Sequence, residues 1–119
     1  METVKRKMEW GERQKRTIYN APVLILAIGN GKVPLTEISA QYHLYNIILQ
    51  SSASGLGTCL MDSVKIYINS HSSMRKELGV PNSFRVMGAL VIGYPRERIL
   101  NKVEGIKLKW SWNNRDISE

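Results

Sequence analysis

The sequence predicts a single domain of the α/β or α+β class, with helices layered on a sheet. Two short apolar runs flanked by turn-forming residues, 23–28 and 84–92, are typical of buried strands. Two longer segments, 35–54 and 64–78, carry apolar residues at helical spacing. Strands and helices therefore alternate along 119 residues, a length that allows one modest hydrophobic core.

The first predicted strand is separated from a polar N-terminal segment by a proline. Pro22 disfavours a helical conformation at Ala21. The apolar run 23–28 then leads into Gly-Asn-Gly at 29–31, which predicts a turn. Residues 4–17 are mostly charged with scattered apolar positions, so we expect a surface helix there.

The segment 35–54 has the strongest helical pattern in the chain. Thr36 is the expected N-cap, because its hydroxyl can accept a hydrogen bond from an amide of the first turn, and Glu37 suits the positive end of the helix dipole. Apolar residues occupy more than one face: Ile38, Tyr42, Tyr45 and Leu49 line one, and Leu44, Ile47 and Ile48 lie beside it. Such a helix is usually buried on more than one face, so we expect it in the domain centre or at a subunit interface.

The segment 55–64, GLGTCLMDSV, joins the two predicted helices and offers few reactive side chains. Gly55 is expected to end the first helix in a left-handed conformation. A short strand should follow, and then a helix in two pieces that Gly79 terminates. After the strand at 84–92, a last strand is predicted at 106–112.

The charge of the chain suggests an anionic partner. Lys and Arg number 17 against 10 Asp and Glu, a formal net charge of +7. A solvated basic surface explains this equally well. Trp110 and Trp112 beside Lys109 are the only hint of aromatic residues interleaved with basic ones, so a small nucleic-acid-binding domain is a weaker hypothesis.

Composition also bears on the compartment. The chain has one cysteine, Cys59, so an intrachain disulfide is excluded and a reducing cytoplasm is expected. We expect Cys59 to be a buried free thiol. A membrane span is not expected, since no run of apolar residues is long enough, and the charged N-terminus does not resemble a secretion signal.

Familiar catalytic motifs are missing from the sequence. GNGKVP at 29–34 has neither the spacing nor the ending of a phosphate-binding loop. His43 and His71 lie far apart without a metal-binding context, so no metal site is expected. No catalytic signature surrounds Cys59. If the protein is an enzyme, a cofactor must therefore supply the chemistry.

Four stretches in order resemble the FMN-dependent nitroreductase family: NAPVLILAI, ISAQYHLYNIILQSSASGLGTCLMDSV, MRKELGVP and ALVIGYP. The family has an apolar strand, a helix leading into "GLGtc", a helix end "lgiP" and a strand ending "viGyp". The resemblance covers about residues 18–112. It implies a mixed α/β sandwich, with a mixed sheet and flanking helices, that forms an intertwined homodimer and binds FMN at the dimer interface. It also implies electron transfer from NAD(P)H to a nitro compound, quinone or similar acceptor.

The resemblance assigns a role to the segment 60–63. Leu60, Met61, Asp62 and Ser63 lie where the family passes the flavin ring, and the amides of Asp62 and Ser63 would donate to flavin N5 and O4. Met61 would pack near the ring. Without the resemblance, the stretch from Gly55 to Ser63 favours a helix cap followed by an edge strand.

The resemblance also implies a basic residue that holds the FMN phosphate. Lys102 lies nearest the expected position. Glu104 stands where the family has a second cation, so Arg96 or Arg98 would have to replace it. A solvated basic tail remains the alternative.

One part of the family pattern is missing. The "RRSxR" segment that grips the flavin at the start of the family sequence has no counterpart here. We therefore expect residues 1–119 to form a single partial nitroreductase-like domain, truncated at the N-terminus. The alternative function is a non-catalytic remnant, or a partner subunit without flavin.

Overall fold

The computed structural model describes residues 2–4, 17–97, 104–107, 111–112 and 115–116. The strands are β1 (Glu2–Val4), β2 (Val23–Asn30), β3 (Gly57–Leu60), β4 (Phe84–Gly93), β5 (Ser111–Trp112) and β6 (Arg115–Asp116). The helices are α1 (Thr36–Ala53), α2 (Asp62–Ser70) and α3 (Ser72–Glu77). Among the described residues, no helix is long and apolar enough to cross a membrane.

The main sheet has the strand order β1-β2-β4-β3, and β5 pairs separately with β6. The predicted layering of helices on a sheet is confirmed. Each pair of described strands is antiparallel, which differs from the mixed sheet that the family resemblance implied. A single returning helix makes neighbouring strands parallel, whereas the connection from β3 to β4 contains two helices. Of the strand predicted at 106–112, residues 111–112 form β5.

Helices cover both faces of the sheet and form two core clusters. On one face, Val64 and Ile68 of α2, together with Leu78 directly after α3, pack against alternate residues of β2 and β4. On the other, α1 packs Ala40 and Leu44 against a second set of strand residues. Because successive strand residues point to opposite faces, the continuously apolar strands of the sequence supply both cores.

The first turn of α1 is built differently from the prediction. Leu35, not Thr36, is the N-cap residue, with φ of 63°. The Thr36 hydroxyl donates to the carbonyl of Val33 at 2.8 Å, so it serves the preceding turn and caps no amide. Glu37 does lie in the first turn of the helix, as predicted.

The buried side of α1 is not its long apolar stripe. Ala40, Leu44 and Ser51 are buried, and Ile47 and Ile48 are partly buried. The side chains of the predicted stripe are exposed: Ile38 by 52%, Tyr42 by 70%, Tyr45 by 57% and Leu49 by 51%. Within the described chain, α1 is therefore buried on one face only.

A glycine lets α1 approach the sheet closely. A Cβ added at Gly88 of β4 would lie 2.4 Å from Cδ1 of Leu44. Leu44 is fully buried. The side chain of Leu44 thus occupies the space above Gly88, which fixes where α1 crosses β4.

Two glycines end helices as predicted. Gly55 has φ of 74°, and the amide of the next residue, Leu56, donates to the carbonyl of Ser51 at 2.9 Å. Gly79 has φ of 71°, and the amide of Val80 donates in the same pattern to Arg75. These six-to-one hydrogen bonds are the Schellman ending of a helix, which glycine favours because it has no Cβ.

Candidate functional site

The segment 60–63, which the sequence analysis singled out, lies at the junction of β3 and α2. Leu60 lies opposite Leu90 of β4. The amide of Met61 donates to the carbonyl of Ala89 at 2.9 Å, and α2 begins at the next residue. Because β3 is at the edge of the sheet as described, the first turn of α2 emerges beside an open edge.

The first two amides of α2 have no acceptor in the described part of the chain. The amides of Val64 and Lys65 both donate to the carbonyl of Met61, at 3.1 and 3.2 Å. The amides of Asp62 and Ser63 make no such bond among residues 17–97, and no side chain caps the helix. Amides at a helix N-terminus carry the positive end of the helix dipole. This end of α2 therefore presents two adjacent donors to an outside acceptor.

The side chains of this segment face different surroundings. Asp62 and Ser63 are exposed, and Leu60 is half exposed at 50%. Met61 is 6% exposed and packs in the core with Val64 and Ile68. The side chain of Met61 is therefore turned into the core, and its packing against a flavin ring stays a prediction.

An ion pair connects this end of α2 with α1. Lys65 Nζ lies 2.8 Å from Glu37 Oε1, and the Glu37 side chain is 62% exposed. The hydrogen bond from Lys65, followed by charge attraction, lowers the pKa of Glu37. The same hydrogen bond raises the pKa of Lys65. Glu37 and Lys65 therefore each stay charged over a wider pH range than they would without the ion pair.

A cavity of about 520 Å³ adjoins the ion pair. It lies between the first turn of α1, the inward side of α2 and the start of β4, and its polar lining includes Glu37, Lys65, Asn69 and Arg85. The sequence analysis missed Lys65 and Asn69. Their spacing from Asp62 places all three along one side of α2, but helical periodicity alone cannot show that Glu37 faces them.

The remaining candidates from the sequence are the cysteine, a metal site and the basic residues of the tail. Cys59 is exposed on β3, so the predicted burial of this thiol is wrong: it lies on a strand at the edge of the described sheet. Among the described residues, no group of His, Cys, Asp and Glu is placed to hold a metal ion. Lys102 and Arg98 lie outside the described residues, and Arg96 is exposed. The phosphate-binding role of Lys102 stays a prediction.

Comparison with solved structures shows that the fold is similar to that of several nitroreductases. A nitroreductase with bound FMN from Bacteroides fragilis is 22% identical, with a TM-score of 0.65 over 76% of this chain and 50% of that one. An FMN-dependent nitroreductase from Clostridium difficile R20291 is 30% identical, with a TM-score of 0.54 over 67% of this chain and 49% of that one. An FMN and NADPH-dependent nitroreductase from a Sphigopyxis strain is 17% identical, with a TM-score of 0.57 over 77% and 44%.

This chain spans about half the length of these proteins. The comparison with curated proteins found no significant match. The model of the nitroreductase family matches residues 1–94, which is most of the sequence. The chain thus belongs to the nitroreductase family.

Proposed function

We propose that this chain is an FMN-dependent oxidoreductase that passes electrons from NAD(P)H to a nitro compound, a quinone or a similar acceptor. Family membership supports the reaction class, and the similar solved proteins are described as binding FMN or depending on it. The observation that carries the proposal is the pair of main-chain donors at Asp62 and Ser63, which have no acceptor among residues 17–97.

These donors suit the flavin ring. The ring edge at N5 and O4 would offer two neighbouring acceptors to this pair of amides, and the positive end of the helix dipole would make that edge more electron-poor. When bound, FMN supplies the hydride chemistry, and the protein contributes binding, orientation and electrostatics. The half-exposed Leu60 offers an apolar contact next to the donors. No side chain of residues 60–63 has to transfer a proton in this scheme.

A cation is also required for the phosphate. We propose Lys102 for this role, because charge-assisted contacts to phosphate are strong. The proposal rests on the family resemblance of the tail. Its consequence is that Lys102 contributes to FMN affinity and not to the rate of hydride transfer.

We further propose that a second copy of the chain covers the exposed face of α1. Ile38, Tyr42, Tyr45 and Leu49 repeat with spacings of four, three and four residues. This spacing is typical of helices that pack along a common seam. Each of the four side chains is more than half exposed in the single chain. A two-fold symmetric contact would bury the same stripe on both copies.

The test of the flavin proposal is retention of FMN by the purified chain, followed by a proline substitution. The chain should keep flavin absorbance bands through gel filtration after FMN is added, and should then oxidise NADH or NADPH when a quinone is present. Asp62→Pro removes one donor at the first helical position, where proline is well tolerated. We expect FMN to bind about tenfold more weakly, as for the loss of a hydrogen bond of about 1.4 kcal/mol.

Asp62→Ala is the matched control, since it changes the side chain and keeps the amide. It should bind FMN with nearly the affinity of the unmodified chain. Failure of the unmodified chain to retain flavin would contradict the proposal for this protein. Equal affinities of the proline and alanine variants would show that the Asp62 amide is not a donor to the cofactor.

A further inference from the structure

Strand β4 extends beyond the end of its neighbour β3. The last main-chain hydrogen bond between the two runs from Met61 to the carbonyl of Ala89. Strand β4 starts earlier, at Phe84, so Val86 lies on the same edge, where none of the described strands is opposite it. Val86 is buried. Buried main-chain groups without a partner are costly, so this edge needs a substitute for the missing strand.

The side chain of Asn69 supplies that substitute. Its Nδ2 donates to the carbonyl of Val86 at 2.8 Å, and its Oδ1 accepts from the Val86 amide at 3.0 Å. A side-chain amide thus pairs with both main-chain groups of one residue, as a strand residue would. Arg75 of α3 in turn donates to the main-chain carbonyl of Asn69.

The position of this contact in β4 is irregular. The pairing of β2 with β4 shifts register between Val86 and Gly88, so Met87 has no opposite residue in β2. From the other face, Gln41 of α1 donates to the Met87 carbonyl at 3.0 Å. Side-chain amides from two helices therefore hold the bulged part of β4 from both sides.

These contacts tie α2 to β4 at both ends. Met61 anchors the start of the helix through Ala89, and Asn69 anchors its last turn through Val86. The helix has nine residues, too few to be stable alone, so its orientation depends on such contacts. Asp62 lies seven residues before Asn69, about 10 Å along the helix axis. Loss of the Asn69 contact would therefore let α2 tilt, and the tilt would change the direction of the amides at its other end.

We propose that Asn69 is a positioning residue for the flavin-facing amides of Asp62 and Ser63. It acts through the direction of α2 and does not touch the cofactor. The inference rests on the proposed function for its effect on flavin, but the orientation of the two amides can be measured without flavin.

The first measurement is made on the flavin-free chain. Residual dipolar couplings report the direction of the Asp62 and Ser63 N–H bonds in the unmodified chain, in Asn69→Ser and in a control. The serine side chain is too short to reach both groups of Val86. Leu78→Ala is the control, because it removes packing from the same core cluster and leaves the Asn69 hydrogen bonds in place. We expect the two N–H directions to change in Asn69→Ser only. Unchanged directions in Asn69→Ser would overturn the inference.

The second measurement compares FMN binding at matched stability. The variants Asn69→Ser and Leu78→Ala are compared in solution conditions under which both unfold at the same temperature. We expect Asn69→Ser to bind FMN about tenfold more weakly than Leu78→Ala, the change produced by losing one well-directed hydrogen bond. We also expect a shifted absorbance spectrum of the bound flavin. Equal affinities and spectra would show that Asn69 only stabilises the fold.

Asn69→Asp gives a variant that can be rescued by protonation. A protonated carboxyl can donate to the Val86 carbonyl and accept from its amide, as the asparagine does, whereas a carboxylate lacks the donor. Its FMN affinity relative to the unmodified chain should therefore recover as the pH falls. Parallel pH profiles for the two proteins would contradict the positioning role. If the unmodified chain binds no FMN, the proposed function fails, and the dipolar couplings still decide the role of Asn69.

Discussion

Helices α1 and α2 cover opposite faces of one sheet, but they differ in what their outer surfaces expose. Helix α2 buries Val64 and Ile68 and exposes only the adjacent pair Ile66 and Tyr67 among its large apolar residues. Helix α1 buries Leu44 and exposes a complete stripe at helical spacing. Neighbouring residues such as 66 and 67 point in different directions, whereas residues three and four apart line one face.

The difference indicates that α1 is suited to be an inner layer and α2 an outer one. An apolar stripe along a whole helix is typical of a surface that meets another helix. The open side of α1 is thus the proposed contact with a second copy. Helix α2 offers instead its first turn and its polar inward side.

The largest expected effect tests whether both helices are anchored equally on their buried sides. Leu44→Ala and Ile68→Ala each remove a fully buried aliphatic side chain, one from each face of the sheet. Each should lower the free energy of unfolding by about 2–5 kcal/mol, through lost burial and the cavity left behind. Urea denaturation measures this, at a protein concentration where the chain is monomeric. Leu49→Ala is the control, and a cost as large as that of Leu44→Ala would show that the two sides of α1 are not different.

A smaller effect tests the exposed sides. Tyr45→Lys places a charge in the exposed stripe of α1, and Ile66→Lys places one on the outer surface of α2 at a similar exposure. We expect Tyr45→Lys to weaken self-association at least tenfold, because a central aromatic residue contributes about 2 kcal/mol or more to an interface. Sedimentation velocity over a concentration series measures the association. If Ile66→Lys weakens it as much, or neither variant does, α1 does not form the contact.

The smallest effect concerns the ion pair that joins the two helices. Glu37→Gln removes the charge that pairs with Lys65 and should destabilise the fold by about 0.2–1 kcal/mol, since exposed pairs are weak. The pKa of Glu37 is lowered in the folded chain from its ordinary 4.5, so its contribution is present above that pH and is lost as the pH falls through the lower folded value. Lys65 has a raised pKa, so its contribution is lost only as the pH rises through that raised value, above the ordinary 10.5.

Thermal unfolding of the two proteins across this acidic range measures the contribution. The difference between them should narrow towards acid and also at high salt, where exposed charges are screened. A difference that does not depend on salt would show that Glu37 acts through packing and not through charge.

Local sequence signals predicted much of the fold. Helix α1 was expected at 35–54 and spans Thr36–Ala53, and both glycine endings, Gly55 and Gly79, were expected. These features depend on residues within one or two turns of each other, where spacing and the freedom of glycine decide the conformation. The second helical segment was expected to begin at residue 64, whereas α2 begins at Asp62, so the local signals did not place Asp62 and Ser63 in the first turn of a helix.

The wrong predictions concern residues whose local preference can be satisfied in more than one way. Thr36 is a good capping residue, but the turn at Val33 uses its hydroxyl and leaves the N-cap position to Leu35. Cys59 was expected to be buried from the general preference of free cysteine, and the edge position of β3 exposes it. Residue preferences alone do not predict which side chain a turn uses for a hydrogen bond. They also do not predict the order of strands in a sheet.

The sequence by itself determined the order of the main helices and strands and the glycine endings of two helices, because those choices depend on neighbouring residues. Only the tertiary structure decided which side of α1 is buried, because two apolar faces were available and the close approach over Gly88 selected Leu44. It also decided that Glu37 meets Lys65 and that Asn69 replaces a strand beside Val86. These partners lie 28 and 17 residues apart, and chain packing alone brings them together.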